Sequence, residues 1–142
     1  MPALMDYTKT LLPPTTIAGA VTAIVTEPVL LGNLPNAARY LALQGNFLYG
    51  SGGTTAKAWV QTSFDGGATW IDIASFAFTT AALRKVVGLS VNIAATHATP
   101  TDGSLADNTI NNGLIGDRLR VKYTTTGTYA GATSLAVTAV AR

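Results

Sequence analysis

The chain has 142 residues, of which 48% are hydrophobic and only 11% charged, with a formal net charge of +2. Charged residues make up about 25% of an ordinary globular domain; here Thr, Ala, Gly and Asn take their place. The length suits one domain with a real core, and the composition excludes both a disordered chain and a long exposed helix or coiled coil.

Residues 1–16 carry three prolines and no useful periodicity, and read as an extended arm docked on a neighbour or left loose. From Ile17 the chain reads as short strands between turn signals. Gly19–Thr26 is β-branched and strand-like, and Pro28, Gly32, Asn33 and Pro35 break the next segment into turns. Arg39–Leu43 forms a strand, Gln44–Asn46 a turn, and Phe47–Tyr49 an apolar segment ending at the Gly50–Gly53 loop. Ala56–Phe64 alternates, with Ala58, Val60, Thr62 and Phe64 on one face and Lys57, Trp59, Gln61 and Ser63 on the other. Asp65-Gly66-Gly67 supplies a hairpin turn, because glycine tolerates the positive φ that tight turns need. Thr69–Ala74 returns, with Asp72 on the solvent face between Ile71 and Ile73.

Thr79–Val87 is the best helical segment, a single turn capped by Thr79 or Thr80. Lys85–Ile93 alternates as a strand with Val87, Leu89, Val91 and Ile93 together. Thr96–Gly116 is long and polar and reads as an exposed loop, with a short strand at Thr109–Ile110. Leu119, Val121 and Tyr123 then alternate with Arg118, Arg120 and Lys122, and Leu135 and Val137 share a face near the end. About eight short strands with Gly- and Pro-rich turns predict an all-β fold. The expectation is a single jelly-roll-like β-sandwich over 17–142, with 1–16 as its N-terminal arm.

Chemistry-bearing residues are sparse. There is no Cys, hence neither a disulfide nor a thiolate metal site. Runs long enough to span a membrane are missing, and Asp6 with Pro13 and Pro14 spoils a signal peptide. Arg118, Arg120 and Lys122 are the one dense basic set, too small a stripe for a nucleic-acid site. His97 has bland neighbours and reads as a surface residue. Asp102-Gly103-Ser104 and Asp107-Asn108 do not match a calcium loop and read as turn residues. Asp65 and Asp72 could be drawn as a carboxylate pair, but Asp65 belongs to the turn. Gly50–Gly53 is no phosphate loop, because no Gly-Lys-Ser/Thr comes after it. No catalytic, cofactor or metal set is assigned, and an enzyme is not expected.

The run Ser63-Phe64-Asp65-Gly66-Gly67-Ala68-Thr69-Trp70 resembles the Asp-box of sialidases and other propellers. One copy in so short a chain implies a stable hairpin, in which Ser63, Asp65, Gly66, Gly67, Thr69 and Trp70 satisfy turn geometry. Two longer runs, Thr55–Ile73 and Gly116–Tyr129, resemble small structural proteins of tailed bacteriophages; the likeness covers roughly residues 45–142. That resemblance implies a non-enzymatic virion component with a β-sandwich fold. Within that group it favours a head decoration or cement protein, made in the host cytoplasm and bound to the capsid surface. Its partners would be the major capsid protein or other virion subunits, and it would form a homo-oligomer, a trimer by preference. Nucleic acid and membrane are not expected partners. The candidate interface residues are Arg118, Arg120, Lys122, Pro13 and Pro14. Two alternatives stand beside this reading. One is a tail, baseplate or head–tail connector protein. The other is a carbohydrate-binding module using Trp59, Tyr123 and Tyr129.

Overall fold

A computed structural model describes residues 8–31, 39–91 and 97–141. Residues 1–7 of the expected arm, the turn residues Gly32, Asn33 and Pro35, Ile93 and Thr96 lie outside them. Among the described residues every regular element is a strand: β1 (Thr8–Thr16), β2 (Ile24–Val25), β3 (Val29–Leu30), β4 (Tyr40–Leu48), β5 (Ser51–Gly52), β6 (Thr55–Ser63), β7 (Ile71–Phe78), β8 (Leu83–Ser90), β9 (Arg118–Thr126), β10 (Tyr129–Ala130) and β11 (Ser134–Ala141).

The strands form an all-β sandwich. One sheet has the order β1-β11-β4-β8; the other runs β2-β9-β6-β7, with β3 also on β9, and β5 and β10 make a small third ladder. All pairings are antiparallel. Alternation sets the inner faces: Leu41, Leu43 and Phe47 of β4, and Leu135, Val137 and Ala139 of β11, are buried opposite Ala56, Ala58 and Val60 of β6. The alanines of β6 let Phe76 and Phe78 of β7 fill the space between the sheets, with Phe47 stacked on Phe78 at 5.2 Å and Tyr129 edge-on to Phe47 at 5.7 Å. Tyr129 is fully enclosed, and its hydroxyl donates to the Thr79 carbonyl at 2.7 Å. Gly45 lies directly under those rings, where a Cβ would stand 3.1 Å from Phe76 and push the ring by a few tenths of an ångström.

The structure changes several expectations. The arm does not reach Thr16, because Thr8–Thr16 is the edge strand β1, paired along β11 with Leu11 and Leu12 buried. Its prolines are compatible with a strand because they sit on an edge and are exposed, where no ladder donor is needed. Gly19–Thr26 contributes only β2 and an isolated bridge from Gly19 to Tyr129. The helical turn at Thr79–Val87 is a bend that leads into β8; Val87 and Leu89 gain more by facing the core than the local helix propensity offers. The predicted turn at Gln44–Asn46 is continuous strand, so Tyr40–Leu48 is one long element rather than two.

Candidate functional site

The two sheets present opposite kinds of outer face. On β6, Trp59, Gln61 and Ser63 point away from the core yet are buried, because residues 97–117 cross over them. The expected exposed loop is therefore a cover. It is held by backbone bonds from Asp72 N to Thr101 O, Ser75 N to Thr109 O and Asn111 N to Ile73 O, and by a bridge between Ala74 and Ile110. The strand expected at Thr109–Ile110 reduces to that bridge.

Asp72, expected on the solvent face, organises this cover. It is 0% exposed. Its carboxylate accepts from Gln61 Nε2 (2.8 Å), Thr101 Oγ1 (2.8 Å) and the amides of Gly103, Ser104 and Leu105 at 2.8–3.1 Å. The Asn111 side-chain amide donates to its carbonyl. A buried carboxylate is tolerated when donors surround it. The loop amides take that role, so one side chain fixes the path of the loop. Gln61 spans the network, donating also to Asp102 Oδ1 at 2.7 Å and accepting from Arg120 Nε at 2.7 Å. The Gln61 amide and Lys122 hold the Asp102 carboxyl below its ordinary value.

The basic stripe is spent on internal contacts, Arg120 and Lys122 in the same network and Arg118 beside it. Arg118 donates to the Gly66 carbonyl at 2.9 Å and pairs with Asp117. Arg120 lies over the Trp70 ring at 4.3 Å, and burial lowers its pKa. Lys122 pairs with Asp102 at 3.1 Å. The three cations thus stitch β9 to the hairpin turn and the cover, and Pro13 and Pro14 lie apart from them on β1. The Asp-box closes as a local motif. Asp65 accepts from Ser63 Oγ, Thr69 N and Thr69 Oγ1, and Trp70 Nε1 donates to Gly67 O. These donors, those of Thr69 first, pull the Asp65 carboxyl down to about 2. Gly66 and Gly67 have φ of 71° and 93°, the left-handed region that the turn demands.

Three other candidates resolve simply. Trp59, Tyr123 and Tyr129 are buried, and the Trp59 indole is tied to the Leu105 carbonyl, so the sugar-stacking residues are not on the surface. His97 is exposed. Asp107 pairs with Lys57, and Asn108 accepts from Ala77 N and Lys85 Nζ.

The outer face of the other sheet is open. Register and alternation place Tyr40, Ala42, Gln44, Asn46 and Leu48 of β4 beside Ser134, Ala136, Thr138 and Val140 of β11 and Arg84, Val86, Gly88 and Ser90 of β8. Arg84 is the one charged side chain among them. A shallow depression of about 470 Å³ runs between Ala42, Val86, Gly88, Thr138 and Val140. The signal available in the sequence was the near absence of charge at the outward positions, Ala42, Gln44 and Asn46 of β4, Val86, Gly88 and Ser90 of β8 and Ser134, Ala136 and Thr138 of β11, whereas the apolar alternation marks only the core side. Comparison with protein-family models, curated protein sequences and solved structures returned no match.

Proposed function

We propose that this chain is a non-enzymatic assembly protein, and that it decorates a bacteriophage head by laying the open β1-β11-β4-β8 face on the shell. The observation that carries the reading is the contrast between the faces. The charged face is consumed by its own loop. The other is broad, nearly uncharged and mixed apolar and hydroxylic, with Tyr40, Leu48 and Val86 exposed. Such a surface can be covered with little charge desolvation, and many weak copies on a symmetric lattice add through multivalency. The resemblance of Thr55–Ile73 and Gly116–Tyr129 to phage structural proteins supplies the setting. The basic stripe, an interface candidate on sequence grounds, supports this reading less well than the open face, since its charges already have partners.

The test is retention on purified heads. Ala42→Glu and Thr138→Glu put carboxylates in the middle of the open face, while Phe64→Glu puts one at the exposed hairpin tip. We expect the first two to lose bound copies at least about tenfold, as buried unpaired charges do, and Phe64→Glu to bind normally. Full retention of both face variants overturns the proposed face. Six or twelve copies per particle would point to the tail or connector instead.

A further inference from the structure

We infer that β8 is a pairing edge at which two copies of this chain join, antiparallel and about a two-fold axis at Val86, into one sheet of double width. The inference stands on strand geometry and does not depend on the virion reading.

In the β4–β8 ladder Val91 N bonds to Arg39 O, so the odd-numbered residues of β8 face β4 with their amides and carbonyls. Arg84, Val86 and Gly88 therefore turn their backbone groups outward, and these have no partner among the described residues. The farther end is closed, because Ser90 N donates to Asn112 Oδ1. A segment centred on Val86 remains with its backbone groups open, at one side of a groove whose other wall is Asn108–Ile110 of the cover, and Val86 is 71% exposed.

The other edges are protected. β1 carries Pro13 and Pro14 and two register shifts against β11, devices that stop strand addition. The β7 edge is covered by the bridge to Ile110, and β9 is flanked by β2 and β3, which at two residues each are too short an edge to template strand addition. Lysine on an edge usually blocks pairing. Lys85, however, is folded under the sheet, donating to Ala77 O at 2.6 Å and lying over the Phe78 ring.

This asymmetry selects the occupant. A ring, such as a trimer, would need β8 to meet a different edge of the next copy, and the edge left in that sheet is the blocked β1. A two-fold needs only β8 against itself. With the axis at Val86, the two Val86 residues exchange both bonds, and Arg84 exchanges with Gly88 of the second copy in both directions. The side chain of Arg84 then lies across from a glycine, where a Cβ would meet nothing within 4 Å. No like charges face each other at these positions, and the two open faces lie on the same side of the joined sheet.

The experiment is the mass of the full chain in solution by sedimentation equilibrium, at concentrations on the order of 100 μM. The expected value is twice the 14.6 kDa chain mass. Val86→Lys and Val86→Glu should each weaken association by on the order of 100-fold, because the axis sets like charges side by side. Mixed together, the two variants should associate again, a rescue that a folding defect cannot mimic. A wild-type mass of one chain, a mass of three chains, or a dimer unchanged in both single variants would overturn the inference. So would a failure of the mixture to associate while each variant remains folded by circular dichroism.

Discussion

Asp72 shows how one side chain can order a long connection. Five donors from Gln61, Thr101, Gly103, Ser104 and Leu105 converge on its carboxylate. Asp72→Ala strands these buried donors and should cost about 3 kcal/mol or more of stability. It should also make the 97–117 segment sensitive to protease. A urea midpoint within experimental error of wild type would contradict this role. Ser75 is the opposite case: its hydroxyl is buried without a partner among the described residues. Ser75→Ala should be neutral or stabilise by up to about 1 kcal/mol, read from the same urea curves. Asp65 adds a pH dependence. Its carboxyl, at about 2 instead of 3.8, contributes stability that is fully present above pH 4 and lost as the pH falls through 2. Carboxyl NMR should place its titration near 2, and Asp65→Asn should remove that part of the acid sensitivity; a midpoint near 3.8 would contradict the hydrogen-bonded turn.

At the scale of the element, β6, the turn and the first half of β7 were legible in the sequence because Asp65-Gly66-Gly67, Trp70 and the alternation of β6 agree locally; the continuation of β7 through Phe76 and Phe78, past a register shift against β6, was not. β8 was half legible: Val87 and Leu89 showed the core face, but Leu83–Lys85 look equally helical until β4 offers a ladder. β1 was illegible as a strand. Its prolines read as breakers, and only the presence of β11 turns Leu11 and Leu12 inward. The burial of Asp72 could not be read from its neighbours, since its donors come from about thirty residues away along the chain. Because β1 is an edge strand of the sandwich, deleting residues 1–16 tests folding as much as binding. Leu12→Ala alone should cost about 3 kcal/mol, measured by chemical denaturation, and a cost below about 0.5 kcal/mol would argue against docking of β1 on the core.

For the whole molecule, the low charge content acquires a location. Among the described residues the cations of β9 are turned into internal fastenings, and one broad sheet face is left almost without charge. That division of labour, one face closed by the chain itself and one left for others, is the core of the proposed role. The most direct test is a single-particle reconstruction of the particle that carries this protein. The proposed role predicts the chain on the outside of the head with Ala42, Thr138 and Val140 against the shell and residues 97–117 facing solvent. Density that places the 97–117 side on the shell with the β4–β11 face bare, or that places the chain in the tail, would contradict it.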